Sequence, residues 1–128
     1  MTTGPGLPRI LVADDEPALR ELVVVTLGDA FLCDEADDGE AALTKLDEAD
    51  YDLVVLDLMM PGRSGMEVLQ AMQADDRLRK VPVVVTSAWQ SARDTEAVVE
   101  AGAHGFVAKP FDPEELVSTV REVLAGRA

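Results

Sequence analysis

The stretch Asp52-Leu53-Val54-Val55-Leu56-Asp57, followed at once by Leu58-Met59-Met60-Pro61-Gly62, decides how this chain folds. A continuous apolar run of this kind is what a parallel strand buried on both faces requires, and it puts Asp57 at the strand's carboxyl end. Open α/β sheets place their ligands at that end. Two further acids, Asp14 and Asp15, end the run Ile10-Leu11-Val12-Ala13, and Lys109 ends the run Gly105-Phe106-Val107-Ala108. Three strand ends thus carry three acids and one base.

Working outward, strand-like runs fall at Arg9 to Ala13, Phe31 to Glu35, Asp52 to Leu56, Val83 to Thr86 and Gly105 to Ala108. Helical patterns lie between and after them. Leu19, Leu22, Val23 and Leu27 share a face after Pro17, which suits an opening turn. Ala42, Leu43 and Leu46 mark a second helix. Ser64-Gly65-Met66-Glu67 is a capping box opening a third, with Met66, Leu69 and Met72 apolar. A fourth runs from Ala92 to Ala101 and stops at Gly102. The fifth opens on Asp112-Pro113-Glu114-Glu115, where an N-cap acid, a proline and acids suit the helix dipole, and continues with Leu116, Val117, Val120, Val123 and Leu124. Strict alternation predicts an α/β fold with right-handed crossovers, a five-stranded parallel sheet covered by helices on both faces. Val23-Val24-Val25 is a local conflict, because β-branched residues weaken helix preference; packing is expected to override it.

A length of 128 residues favours one domain, read here as residues 9–125 behind a flexible lead-in over residues 1–8. Hydrophobic residues make up 48 % and charged residues 28 %, a globular balance rather than a disordered one. No apolar stretch approaches the ~20 residues needed to span a bilayer, and the first residues do not read as a signal peptide. The single cysteine, Cys33, allows no internal disulfide and suits a reducing, cytoplasmic setting; it reads as a small core residue. The net charge of −14 argues against direct nucleic-acid binding and against docking on anionic membranes. A metal cation or a basic partner surface suits it better.

Asp14-Asp15, Asp57, Met60-Pro61-Gly62, Ser87-Ala88 and Lys109-Pro110-Phe111, in this order and spacing, resemble the receiver domain of two-component response regulators. The resemblance implies a flavodoxin-like strand order 2-1-3-4-5, a doubly wound arrangement. It also implies a signalling switch rather than an enzyme with an external substrate, its own chemistry confined to self-phosphorylation and autodephosphorylation. Asp57 would take a phosphoryl group from a sensor histidine kinase or a phosphotransfer protein, forming an acyl phosphate. Mg²⁺, or Mn²⁺ in its place, would be held by Asp15, Asp57 and the Met59 carbonyl, with Asp14 acting through water. Three acids, a divalent cation and Lys109 then balance in charge, and such positioning is most of what phosphoryl transfer asks of a protein.

The same resemblance implies that Lys109 contacts a phosphoryl oxygen, that Lys109-Pro110 is cis, and that Ser87 and Phe106 are the switch residues. Phenylalanine lacks the hydroxyl of the more common tyrosine, so its coupling must run through packing. Met59 and Trp89 would overhang the path of water to the phosphorylated aspartate. A homodimer or a downstream protein is expected on the face formed by the fourth helix, fifth strand and fifth helix.

Taken singly, these residues have plainer readings. Asp14 and Asp15 could cap the first helix, Asp57 could open a turn, Ser87 could cap a loop, and Lys109 could be a solvated lysine. Independent surface accidents would not collect at adjacent strand ends. His104, between Gly102 and Gly105, reads as structural or solvated. An aspartate-nucleophile phosphatase of the haloacid dehalogenase type would carry an acid where Met59 stands. A flavodoxin would meet phosphate with Asp14-Asp15-Glu16, which repels it. A degenerate receiver would not keep these acids and Lys109.

Overall fold

The chain alternates strand and helix throughout: β1 (Arg9–Ala13), α1 (Pro17–Leu27), β2 (Leu32–Ala36), α2 (Gly39–Glu48), β3 (Leu53–Asp57), α3 (Gly65–Gln73), β4 (Val83–Ser87), α4 (Ala92–Glu100), β5 (Gly105–Ala108) and α5 (Pro113–Gly126). These elements come from a computed structural model that describes residues 6–60, 62–88 and 92–126. All four strand pairings are parallel, in the order β2-β1-β3-β4-β5. The expected doubly wound architecture is therefore present.

Alternate residues of the central strands feed two cores. Ile10, Val12, Leu53, Val55, Val84 and Val107 pack with Val23 and Leu27 of α1 and with Leu116 and Val120 of α5. Leu11, Val54, Leu56, Val83 and Val85 pack with Ala42 and Leu46 of α2, Val68, Leu69 and Met72 of α3 and Val98 of α4. Covering both faces is why these strands are apolar without interruption. Leu56 is 0 % exposed, so truncation to alanine is expected to cost about 2–5 kcal/mol.

The structure shifts some sequence boundaries. β2 begins at Leu32, paired with Arg9, whereas Phe31 lies outside the ladder and is buried among the α1 and α5 residues. β3 begins at Leu53 and takes in Asp57, which pairs with Thr86. In α1 the buried face is Val23 and Leu27, while Leu22 is 41 % exposed and Val25 68 %. The valine run stays helical because Val23 and the partly buried Val24 gain core contacts that outweigh a weak propensity.

Candidate functional site

Parallel pairing places every strand's carboxyl end on one edge of the sheet. The chain reverses its winding between β1 and β3, which are neighbours in the sheet though not in sequence, and a crevice opens there. Asp14 and Asp15 follow β1 directly, and Asp57 ends β3. One oxygen from each carboxylate lies within 4.8 Å of the others, making a group with the donor set and spacing to hold a hard cation. Asp14 and Asp57 are buried and Asp15 is exposed, so the group is open on one side.

Local structure fixes each acid. The Asp14 amide donates to the Ala36 carbonyl at 3.1 Å, which extends the β1–β2 ladder past Ala13. Its Oδ1 accepts from the Glu16 amide at 2.9 Å, turning the chain into α1. The N-cap of α1 is Glu16, with no side-chain cap, so Asp14 shapes the turn ahead of the helix rather than capping it, and its Oδ2 faces the crevice. Arg20 holds the Asp14 carbonyl at 2.8 Å and pairs with Glu35 at 2.9 Å. Sequence reasoning missed this arginine, although it lies one helical turn after Glu16. Asp57 Oδ1 accepts from the Met59 amide at 3.1 Å. The Gly65 amide donates to the Leu58 carbonyl at 3.0 Å, and a Cβ on Gly65 would collide with the Asp57 carbonyl oxygen. Only glycine lets α3 begin so close to Asp57.

Lys109 follows β5, two strands away from β3, and reaches back across the end of β4. Its Nζ lies 3.0 Å from Asp14 Oδ2 and 3.3 Å from Asp57 Oδ2, with only 11 % of its side chain exposed. Its amide donates to the Ser87 carbonyl at 2.7 Å, and Lys109-Pro110 is cis. Burial works against the ammonium, but the Asp14 hydrogen bond and the charges of Asp57 and Asp14 outweigh it and raise the Lys109 pKa above the ordinary amine value. Burial is also the main reason that Asp57 is pushed above its ordinary carboxyl range; the Met59 amide and Lys109 oppose this, and Asp14 adds to it. Asp57 is therefore a carboxylate held at a cost, which a second cation would relieve.

Ser87 is buried at the end of β4, in register with Ala108, one residue past the Thr86 that pairs with Asp57. Phe106, in register with Val85, packs against the core on the α2–α4 side and not against the acids. Met59 is 72 % exposed at the mouth of the site. Trp89 and Pro61 lie outside the described residues. Beside the site runs an apolar groove of about 370 Å³, bordered by Glu16, Leu19, Leu22, Lys109 and Phe111. None of the described helices is long and apolar enough to cross a membrane.

A profile of the family described as "Response regulator receiver domain" matches residues 10–121. The DNA-binding response regulator MtrA of Mycolicibacterium smegmatis is 43 % identical over 114 residues, covering 88 % of this chain and 49 % of that protein. The phosphate regulon transcriptional regulatory protein PhoB of Escherichia coli is 37 % identical over 117 residues, covering 91 % of this chain and 51 % of that protein. The chain thus spans about half the length of these relatives. Among solved structures, the chemotaxis response regulator CheY4 of Vibrio cholerae is similar at a TM-score of 0.87 and 30 % identity, over 92 % of this chain and 99 % of that one. The receiver domain of a Francisella response regulator is similar at 0.89 and 26 %, over 94 % and 99 %.

One expectation must be corrected. The charge of −14 argues against a direct nucleic-acid partner, yet MtrA is a DNA-binding regulator and PhoB a transcriptional one. Net charge describes the surface of these 128 residues alone and does not bear on a protein of twice that length.

Proposed function

Because the chain belongs to the response regulator receiver domain family, whose members are phosphoacceptor switches, we propose that Asp57 is its phosphoacceptor, within a single receiver unit spanning residues 9–125. The observation that carries this reading is the convergence of Asp14, Asp15, Asp57 and Lys109 from three strand ends on one crevice. An oxygen of Asp57 attacks the phosphorus of a phosphohistidine on a sensor kinase. The new O–P bond forms as the P–N bond breaks, and the electron pair returns to the histidine ring. Water later cleaves the acyl phosphate, releasing inorganic phosphate and restoring the carboxylate. The relatives are regulators, and this limited self-chemistry sets the chain apart from enzymes that turn over an external substrate.

Asp15, Asp57 and the Met59 carbonyl would hold Mg²⁺, with Asp14 farther out; the all-oxygen donor set and the excess negative charge fit such a cation. When bound, Mg²⁺ offsets the charge that develops on the transferring group. Lys109 leaves its carboxylate partners to meet a phosphoryl oxygen, and Ser87 at the end of β4 supplies a hydroxyl donor to the same group. Two pre-existing arrangements of the β4 and β5 ends would then be biased by phosphorylation. The setting is the cytoplasm, where a kinase's phosphohistidine is available. By likeness to MtrA and PhoB, the process served is control of transcription.

The test is incubation with acetyl phosphate, with Mg²⁺ or with a chelator. The reading requires a Mg²⁺-dependent product that hydroxylamine releases, as it does an acyl phosphate. A hydroxylamine-stable product, or labelling indifferent to the chelator, would overturn it.

A further inference from the structure

Two glycines outside the acid cluster hold the connection that carries Met59. Gly39 is the first residue of α2 and Gly65 the first of α3, and both are buried. A Cβ on Gly65 would strike the Asp57 carbonyl oxygen and Leu58 Cα, whereas one on Gly39 would strike the carbonyl oxygen and Cβ of Arg63. Leu58 is thus seated on α3 and Arg63 on α2. Glu40, beside Gly39, adds an ion pair with Arg63 Nε at 2.5 Å.

We propose that the first turn of α2, through Gly39, positions the β3–α3 connection so that the Met59 amide and carbonyl serve the phosphorylation site. Gly39 is a positioning residue, since the atoms nearest a Cβ there all belong to Arg63. The proposal rests on the assignment of Asp57 and Met59 made above.

The mechanics follow from which side can yield. A backbone carbonyl cannot swing aside as a side chain does, so a methyl on Gly39 must displace either α2 or the connection. α2 is anchored by Ala42 and Leu46, both 0 % exposed, and by Asp38, whose side chain accepts from the Ala41 amide at 2.7 Å. The connection is the softer partner: Gly62 adopts φ +71° with open space around its Cα, and Met59 is 72 % exposed. Gly65 fixes the connection at Leu58, so the displacement falls beyond that point, on Met59 first among the described residues. Groups that orient a metal ligand through one intervening contact commonly change affinity by about 10–100-fold when lost.

The experiment uses the full chain carrying Gly39→Ala. Calorimetry is expected to show Mg²⁺ binding weakened roughly tenfold or more. In metal-free protein the Met59 amide resonance should move, while exchange protection of the α2 amides stays at the wild-type level. Unchanged Mg²⁺ affinity with an unmoved Met59 resonance would overturn the proposal. The double variant Glu40→Ala/Arg63→Ala keeps the backbone contact and removes only an exposed ion pair, so it should fold and weaken binding by about twofold. If Gly39→Ala does not fold, Arg63→Gly decides, because it leaves Gly39 in place and frees the backbone that α2 abuts: a moved Met59 resonance with weakened Mg²⁺ binding supports the proposal, and an unmoved resonance with unchanged binding overturns it. Should the wild-type chain bind no Mg²⁺ and accept no phosphoryl group, the assignment of Asp57 falls. The metal-free Met59 resonance in Gly39→Ala still judges the positioning role separately.

Discussion

The ammonium of Lys109 stands 3.3 Å from Asp57 Oδ2, although β4 separates the strands that carry the two residues. Lys109 stands in the crevice as the cation that lets two buried acids lie side by side. Its loss and the loss of Asp57 should therefore act in opposite directions. Asp57 has a raised folded pKa, so it favours folding below its unfolded pKa and disfavours it once the pH rises through the folded value. At neutral pH in metal-free buffer, Asp57→Asn should raise the thermal midpoint, by about 4 °C for each kcal/mol relieved. The gain should shrink in acid as the wild-type carboxyl protonates. Lys109→Met leaves paired acids uncompensated and should cost about 3 kcal/mol, partly recovered on adding Mg²⁺. Calorimetric melts with and without Mg²⁺ check both signs.

A second prediction concerns the opposite edge of the sheet. Tyr51 donates to Asp34 Oδ2 at 2.7 Å, and Arg9 reaches the same oxygen at 2.7 Å while lying 5.1 Å from the tyrosine ring centre. Burial, then the Asp34 bond, pushes the Tyr51 phenol up to about 12. The Tyr51 bond, helped by Arg9, holds the Asp34 carboxyl below its usual range. The raised phenol contributes stability that is whole below the unfolded tyrosine value of about 10 and is lost as the pH climbs through about 12. The lowered acid contributes stability that is present above the unfolded carboxyl value and lost as the pH falls through the folded one. Tyr51→Phe should cost about 1 kcal/mol at neutral pH and abolish the tyrosine part of the alkaline fall. Denaturant midpoints against pH measure this. Tyr51 is the single tyrosine, so phenolate absorbance follows it directly.

Sequence pattern was enough for a parallel sheet covered on both faces because the cause of the pattern is simple, whereas the strand order came with the family resemblance. Strands covered on both faces must be apolar throughout, and Leu53 to Leu56 and Val83 to Val85 are. The three acids and Lys109 were legible for a related reason: a charged residue closing an apolar run has few places to be. What the pattern could not reveal was contact between segments remote in sequence. Phe31 looks like strand but leaves the ladder for the α1–α5 core. Leu22 looks like core but borders a groove. Gly39, Arg63 and Arg20 carry local signals that fit ordinary helix starts and surface charges, and their roles depend on which loop lies opposite them.

Ser87 is expected to matter after phosphorylation more than before it. Ser87→Ala should leave labelling of Asp57 intact and weaken binding of beryllium fluoride, a phosphoryl mimic, about tenfold, as befits loss of one hydrogen bond to a charged group. Affinity equal to the wild type would remove Ser87 from the switch.

Met59 is expected to bear on how long the signal lasts. Its exposed side chain stands two residues beyond Asp57 and can neither accept a proton nor orient water. Met59→Asn should hasten phosphate loss by several-fold, well short of the roughly hundredfold or more that a fully positioned acid or base contributes. Decay of the phosphorylated form in single turnover gives the rate, and an equal or slower decay would show that Met59 does not shield the bond.

The most direct test is to find the modified residue. The chain is phosphorylated with acetyl phosphate and Mg²⁺, reduced with borohydride to convert an aspartyl phosphate into homoserine, and sequenced by mass spectrometry. Homoserine at position 57, and its absence in Asp57→Asn, is the predicted result. Homoserine at Asp14 or Asp15 in the wild type, or undiminished labelling of Asp57→Asn, would contradict the account.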